Sequence, residues 1–543
     1  KELTSLNLIY KGGTSKGTEF NPFLAERWVD HIDLLETKSR YFYEPKINAK
    51  ISLSKRDPKL IAFYLPQFHP IPENDKAWGK GFTEWTNVAV AKPRFVGHHQ
   101  PMLPSDLGFY DLRLDSVIEE QINLAKSHGI YAFCFYYYWF SGKRLLDRPL
   151  DSFLRHNEWD FNFMICWANE NWTKRWDGAD KEVIVSQKYL KDDPINFIKD
   201  VEHILLDPRY IKINGKPALC VYRLPHLKNA KKYASVWREY FLKKHNLELH
   251  LIGVLSHTVD NPSDFGFDAA IEFVPSGITH KSHKFINASI PRVDVKNKQI
   301  DLEFEDPIAD YRTIVLDDKF HKESYKFPAY RCVMPSWDND ARRKGRGSTV
   351  FYNSSPDLYG KWLSNELKLA KKTNYPVFIN AWNEWAESTV LEPSQMYGHA
   401  MLNRTAETLA LHSSVQSNRN TFPIYGIKKT HVVDLAVIVQ LYSEEEWEYL
   451  QKRLKLLENN KYDIFICLQK KDKDLDKKIK KVFKRAYIFN LSDRGRDMLP
   501  VIHIARRVSQ AGDKSILKLS AKSNIQSEDF NENYKNTINN ILP

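Results

Sequence analysis

The chain has no run of eighteen apolar residues, so the sequence predicts no segment that spans a membrane. Cysteine is also scarce, with five residues scattered over 543 positions. They form no C-x-x-C pair and no Cys/His spacing typical of a metal site. We therefore expect no metal ligands, and we expect a cytoplasmic chain whose thiols stay reduced in the core. The five are Cys134, Cys166, Cys220, Cys332 and Cys467.

Acidic residues are in the minority, since 68 of them accompany 80 basic residues and leave a net charge of +12. The excess is concentrated toward the C-terminus, between Lys470 and Arg485. The simplest interpretation is the solvated face of a helix. The alternative is attraction to anionic lipid headgroups or nucleotide phosphates, which leaves open a peripheral association with the inner face of the membrane. No nucleic-acid-binding motif accompanies the charge, and we expect no nucleic-acid partner.

Aromatic side chains are abundant and make up 13% of the residues. In the segment Pro376–Glu387, a short apolar strand leads straight into two tryptophans and into Glu384 and Glu387. Indole faces stack on the apolar faces of pyranose rings, and two neighbouring carboxylates can move protons at a glycosidic bond. The segment therefore indicates carbohydrate chemistry. The alternative is a capping or surface acid pair, for which the surrounding tryptophans would be costly.

Strand-like and helix-like segments alternate from residue 60 onward. Eight predicted strands separated by helices favour a (β/α)8 TIM barrel with insertions over the competing doubly wound sheet. Polar and aromatic residues follow at least five of these strands, as they do at the mouth of a barrel. The long run Gly277–Lys326 has little periodicity and predicts an insertion. The predicted strands are 61–68, 131–140, 162–167, 217–222, 247–255, 269–274, 329–334 and 377–381.

We expect four parts along the chain. Residues 1–57 form an N-terminal extension or the tail of an upstream module, and the first residue, Lys1, suggests an excised or processed chain. Residues 58–412 form the barrel, 413–429 a linker, and 430–543 a smaller, incomplete Rossmann-like α/β module. Within that module we predict strands at 432–441, 462–468, 486–490, 501–508 and 515–519, and helices at 444–457 and 472–483.

The candidate substrate-binding residues share one pattern, in which aromatic and hydrogen-bonding side chains follow the end of an apolar strand. Sugars need planar hydrogen-bond partners for their hydroxyls and flat apolar surfaces for their ring faces. The candidates are Tyr64, Gln67, His69, Glu84, Trp85, Tyr137, Trp139, Trp167, Asn169, Glu170, Asn171, Trp172, Trp176, Trp337, Asp338, Trp382 and Asn383.

Structural roles compete with these assignments. Within Tyr136–Trp139, alternate residues of a strand must pack between the barrel and its helices. His69 is as consistent with a structural histidine as with a ligand-binding one. Glu170 could cap the helix that follows it, and Asp338 could anchor a loop.

Six segments of the barrel, in order, resemble WbsX-type proteins, which are similar to glycoside hydrolase family 99 and are regarded as glycosyltransferases of bacterial surface polysaccharide synthesis. The likeness spans roughly residues 58–412. It implies a (β/α)8 barrel, a metal-free reaction and no cofactor. The segments are Leu65–Asp75, Gly81–Val88, Asp106–Asp111, Tyr136–Phe140, Trp167–Trp172 and Ala381–Glu387.

The resemblance also implies roles for the two glutamates. Glu384 would remove the proton from the sugar 2-hydroxyl, which attacks the anomeric carbon, and Glu387 would protonate the leaving oxygen. These roles require a raised pKa at Glu387 and an ionised Glu384. One position departs from the family pattern, because Ser388 stands where relatives commonly have Gly. If the backbone there needs a positive φ, serine would strain it or shift the loop.

The C-terminal module is similar to rhamnan synthesis protein F over about residues 430–523. The likeness rests on Asp493–Pro500 and Leu517–Ser523, with Ser520 and Ala521 where that family usually has His and Thr. No catalytic residues are carried over, and a truncated domain that only packs or docks is the alternative.

Three functions are consistent with the sequence. The first is an enzyme that forms glycosidic bonds in O-antigen or capsule synthesis, taking a glycan or lipid-linked oligosaccharide and an activated sugar donor. The second is a retaining endo-glycosidase with the same site, in which water is the acceptor. The third is a non-catalytic glycan-binding module.

Overall fold

The computed structural model describes residues 43–47, 51, 53–54, 56–174, 179–256, 261–276, 299–316, 325–345, 349–413, 435–441, 443–454, 462–468, 472–484, 486–490 and 515–520. The chain divides into two compact units, Lys1–Val415 and Gln416–Pro543. Within the described ranges, no helix has the length and the apolar composition that crossing a membrane requires.

The first unit contains eight parallel strands that neighbour one another in chain order. The strand β7 consists of two short segments separated by one residue. Its first segment pairs with β6 and its second segment pairs with β8, while β8 also pairs with β1. These pairings close the ring, so the predicted (β/α)8 barrel is confirmed and the doubly wound sheet is excluded. The strands are β1 Leu60–Tyr64, β2 Ile130–Phe140, β3 Asn162–Trp167, β4 Lys216–Val221, β5 His250–Leu255, β6 Ala269–Glu272, β7 Ala329–Tyr330 with Cys332–Val333, and β8 Val377–Ile379.

The longer helices cover the outside of the ring, and several helices begin and end at residues that favour helix termini. Helix α6 starts after Asn229, whose side chain accepts from the Lys232 amide at 3.1 Å, and it stops at Asn246 in the left-handed conformation. The helices are α1 Pro72–Trp78, α2 Glu84–Val90, α3 Asp115–Ser127, α4 Arg148–Arg155, α5 Asp193–Leu205, α6 Ala230–His245, α7 Tyr311–Leu316, α8 Asp340–Arg343, α9 Pro356–Thr373 and α10 Ala400–His412.

Shorter elements occupy the connections. The predicted insertion 277–326 is described only at 299–316 and 325–326, where it contributes a short strand and α7. The extra strands are Lys143–Leu145, Trp172–Lys174, Ala179–Val185, Lys212–Ile213, Ile308–Asp310, Val350–Tyr352, Asn383–Glu384 and Thr389–Val390. The 3-10 helices are Leu224–His226, Pro262–Phe265 and Trp385–Glu387.

Side chains on the two faces of the barrel strands pack in different places, either against the outer helices or inside the ring. Along β2, Phe133 and Phe135 point outward, where Phe135 packs on Phe153 of α4. Tyr136 points inward and stacks on Phe63 of β1 at 5.6 Å between ring centroids. Because side chains alternate along a strand, this assigns every second residue of β2 to the interior of the barrel.

The second unit has a parallel α/β arrangement. Its four strands lie in the order Tyr487–Asn490, Tyr462–Leu468, Leu435–Leu441, Ser515–Ser520, and the helices are Glu444–Leu454 and Lys473–Val482. These elements agree with the predicted ones to within a few residues. The predicted strand at 501–508 lies outside the described residues.

Candidate active site

The carboxylate pair sits on a hairpin-like loop that follows β8. Asn383 pairs with Val390 and Glu384 with Thr389 in a two-strand ladder, and the 3-10 turn Trp385–Glu387 forms the tip. The next residue, Ser388, has a φ of 51°, which is the left-handed region. The backbone at this position therefore does need a positive φ, and serine adopts a conformation that favours glycine.

This loop borders a cleft of about 570 Å³. Both Glu384 and Glu387 line it, together with side chains that follow other strands. Five of the predicted binding residues are also in the lining, namely Gln67, Glu170, Asn171, Trp172 and Trp337. The cleft therefore brings together residues from segments that are far apart in the sequence, as the mouth of a barrel does.

A single arginine connects the two carboxylates. Arg342 of α8 donates from Nη2 to Glu384 at 2.8 Å and from Nη1 to Glu387 at 2.6 Å. Its Nε donates to Glu84 of α2 at 3.1 Å. All four side chains are largely buried, so three carboxylates share one guanidinium in a medium that screens charge poorly.

This arrangement perturbs both members of the pair. Burial raises the pKa of Glu387 to about 8, the Arg342 guanidinium opposes the rise, and the charge of Glu384 adds to it. Burial also raises the pKa of Glu384, against the opposing effect of Arg342. The direction at Glu387 suits a proton donor. At Glu384, ionisation depends on the guanidinium beside it.

Three predicted aromatic contacts lie on the wrong face of their strands. Trp139 and Trp167 point outward and pack against each other at 5.7 Å between centroids, and Trp167 stacks on Phe197 of α5 at 4.3 Å. Tyr137 packs on the same phenylalanine and donates its hydroxyl to Asp200. The inward residues of β2 that line the cleft are Tyr136 and Tyr138 instead.

Other predicted binding residues are buried behind the cleft and connect its walls. Asn383 joins the ends of β8 and β1, because its Oδ1 accepts from the Leu65 amide at 2.7 Å. Asn169 accepts from the Arg223 amide at 2.8 Å. The indole of Trp85 donates to the Tyr110 carbonyl at 2.8 Å. These side chains hold loops in place and are not in the lining.

The remaining candidates that the structure describes also lie outside the lining. Tyr64 donates to Gln121 at 2.7 Å on the outer face of β1, and Trp382 packs on Phe133. Asp338 lies 2.6 Å from a ring nitrogen of His98, in agreement with the loop-anchoring alternative. His69 is buried, and burial lowers its pKa. Glu84 reaches the site only through Arg342, and Trp176 lies outside the described residues.

The sequence prediction missed Arg342, Tyr136, Tyr138 and Tyr222, all of which line the cleft. Tyr136 and Tyr138 were detectable, because side chains alternate along β2 and the prediction chose Tyr137 and Trp139 on the other face. Arg342 gave no such signal, since it lies in the short helix α8, which has no motif of its own. No group of histidine, cysteine or acidic side chains suited to a metal ion occurs among the residues that the structure describes.

The chain is 36% identical over 481 residues to WxcX, a protein described as uncharacterised, from two strains of Xanthomonas campestris pv. campestris. The match covers 87% of this chain, and the chain spans 65% of the length of WxcX.

Two solved structures are also similar. One is a GH99 endo-alpha-mannosidase from Bacteroides thetaiotaomicron, with 15% identity, coverage of 68% of this chain and 99% of that chain, and a TM-score of 0.40. The other is a glycoside hydrolase-like protein with the same identity and coverage and a TM-score of 0.43.

The model of the family described as "Glycosyltransferase WbsX" matches residues 60–405, from the first strand of the barrel into α10, and the chain belongs to this family.

Proposed function

We propose that the barrel forms glycosidic bonds in the synthesis of a bacterial surface polysaccharide, such as O-antigen or capsule. One observation carries the proposal: two buried carboxylates bind the same guanidinium at a cleft whose walls bear tyrosines and half-buried tryptophans. Such walls fit the faces of sugar rings, and paired acids in different environments suit proton transfer.

In the proposed reaction, Glu384 takes the proton of the 2-hydroxyl of the donor sugar. The 2-oxygen attacks the anomeric carbon while Glu387 gives a proton to the departing oxygen. The hydroxyl of an acceptor glycan then opens the resulting anhydro ring, gives its proton to Glu387 and lets the 2-oxygen recover its own from Glu384. Each glutamate ends in its starting state.

The acceptor defines the class of enzyme. A glycan or lipid-linked oligosaccharide at the inner face of the membrane is the acceptor that we propose. The exposed lysines of the helix Lys473–Val482 support attraction to an anionic surface. Water in the same place would make the protein a retaining endo-glycosidase.

Glycosyl fluorides provide the test. The purified chain is offered α- and β-glycosyl fluorides with a free 2-hydroxyl, alone and with saccharide or lipid-linked acceptors. Fluoride release and product mass are then measured. Fluoride departs without needing full protonation by Glu387, so Glu387→Gln should retain much of the fluoride release. Glu384→Gln should abolish the release, because the 2-hydroxyl then loses its base. The exposed Glu239→Gln is the control.

The outcomes separate the three functions. Transfer to a sugar hydroxyl supports synthesis. Release that yields only the free sugar, with every acceptor ignored, would indicate a hydrolase and overturn the proposal. Sugar binding without turnover, unchanged by either glutamate variant, would indicate a binding module.

A further inference from the structure

The loop that carries the carboxylate pair is closed at its base by a third glutamate. Glu392 follows the second short strand of the loop, and its Oε2 accepts a hydrogen bond from the indole of Trp385 at 2.7 Å. Trp385 lies between Glu384 and Glu387 in the chain and begins the 3-10 turn. The bond therefore joins the base of the loop to its catalytic tip.

Glu392 is bound by neutral donors. The hydroxyl of Tyr110 donates to Oε2 at 2.8 Å, and the amide of Gln121 donates to Oε1 at 2.6 Å. The carboxyl group is 2% exposed, and none of the described cations forms an ion pair with it. Burying an acid without a cation is costly, so its presence calls for a role that an apolar residue would not fill.

Gln121 and Tyr110, which donate to Glu392, also bind other residues of the barrel. Gln121 lies on α3 and accepts from Tyr64 at the end of β1. Asn383 of the loop donates to the Tyr110 hydroxyl at 3.3 Å. Glu392 thus holds the indole against a network that is fixed to β1 and α3.

We propose that Glu392 is a positioning residue for the Glu384 and Glu387 pair, acting through the indole of Trp385 to fix the turn that carries both carboxylates. The inference rests on the proposed function of that pair. Neither Glu392 nor Trp385 lines the cleft, so their effect on a substrate would be indirect.

A carboxylate suits this role better than an amide. Above its pKa of about 7 the ionised carboxylate accepts all three donors at once, and an ionised acceptor makes shorter and stronger hydrogen bonds. A glutamine at this position would present an amide nitrogen to one of the donors, unless Gln121 reversed its own amide. We therefore expect Glu392→Gln to loosen the turn and Trp385→Phe to release it.

The test compares Trp385→Phe, Glu392→Gln and the double variant, with fluoride release from glycosyl fluorides as the activity. We expect kcat to fall by about 100-fold in Trp385→Phe, because small misplacements of catalytic groups have effects of this size. KM should change little. The double variant should be no worse than the poorer single variant, since both changes act on the same bond.

A matched control removes a buried indole hydrogen bond elsewhere. The indole of Trp237 donates to the Pro194 carbonyl at 2.9 Å, outside the barrel wall. Trp237→Phe should lower the melting temperature as much as Trp385→Phe does, yet leave kcat per folded molecule within about twofold of the wild type. Equal losses of kcat in both variants would reduce Glu392 to a structural role and overturn the inference.

A crystal structure of Trp385→Phe gives a readout that needs no activity. We expect the carboxylate of Glu387 to lose its 2.6 Å contact with Arg342. A retained contact would overturn the positioning role, even if the wild type proved active. A wild type that releases no fluoride would overturn the proposed function alone, since a displaced Glu387 would still show that Glu392 holds the turn.

Discussion

Arg342 and Glu84 form a buried ion pair with 3.1 Å between Nε and Oε2, although 258 residues separate them in the chain. The pair connects α8, which follows β7, to α2, which follows β1. It also turns the guanidinium so that its two other nitrogens meet Glu384 and Glu387. The charge of Arg342 is therefore available to both proposed catalytic groups.

Replacing Arg342 by glutamine should move the pH dependence of activity. The guanidinium lowers the pKa of Glu384 against the effect of burial, so its loss lets that pKa rise. The proposed base must be ionised, and the acidic limb of the profile of kcat/KM should shift upward by about 1 to 3 pH units. Fluoride release measured from pH 5 to 9 checks this.

Two variants control the experiment. Arg342→Lys keeps the positive charge but loses the rigid fork of donors, so it should lower kcat while shifting the acidic limb less. Arg312→Gln removes an exposed arginine that pairs with Asp310, neither of which lines the cleft, and it should change neither kcat nor the acidic limb. An unshifted limb in Arg342→Gln would show that the arginine does not set the charge of the base.

The sequence was sufficient to predict the barrel, because each strand is indicated by the pattern of its own residues. The run from Asn162 to Trp167 is apolar and is bounded by turns, and the predicted and observed strand ends coincide. The strand β7 was harder, since it breaks at Arg331, which pairs with Glu272 and Glu366. That break depends on partners from other elements, which periodicity along one strand does not reveal.

The site was less predictable, because it depends on which face of a strand turns inward. Tyr136 and Tyr137 are adjacent and chemically identical, and only the closure of the ring decides that the first reaches the cleft. The sequence did not indicate Arg342 for a related reason, since its three partners come from two segments that are distant from it in the chain. The spacing of residues within one segment does not indicate ion pairs with other segments.

Two tryptophans that the sequence ranked together should now behave differently. Trp172 is half-buried in the cleft lining and packs on Tyr138, whereas Trp167 lies in the outer core. We expect Trp172→Ala to weaken sugar binding by about 1 to 3 kcal/mol, which calorimetry with oligosaccharides can measure, and to change the melting temperature little.

Trp167→Phe is the comparison, chosen because phenylalanine keeps most of the packing. It should lower the melting temperature and leave sugar affinity unchanged. The opposite pattern, in which Trp167→Phe weakens binding and Trp172→Ala does not, would return the binding role to the outer face of the strand.

Ser388 offers a test of backbone strain beside the turn that carries the two proposed catalytic glutamates. A non-glycine residue at a φ of 51° costs about 1 to 2 kcal/mol, while the Ser388 hydroxyl accepts from Gln100 at 3.0 Å and recovers part of that. Both Ser388→Gly and Ser388→Ala lose the hydrogen bond, but only glycine relieves the strain. The glycine variant should be more stable than the alanine variant by about 1 kcal/mol in urea unfolding. Equal stability, or a more stable alanine variant, would contradict this.

The buried Glu392 should make stability fall as pH rises toward neutrality. Burial raises its pKa to about 7, although hydrogen bonds from Trp385, Tyr110 and Gln121 oppose the rise. In the unfolded chain a glutamate titrates near 4.3, so folding favours the protonated form. The stabilisation is complete below that value and is lost progressively as pH rises to about 7, by about 4 kcal/mol in all. In Glu392→Gln this loss should be absent, so its stability relative to the wild type should improve from pH 4.5 to 8. Exposed Glu119→Gln should follow the wild type, and a wild-type slope retained in Glu392→Gln would assign the pH dependence to another group.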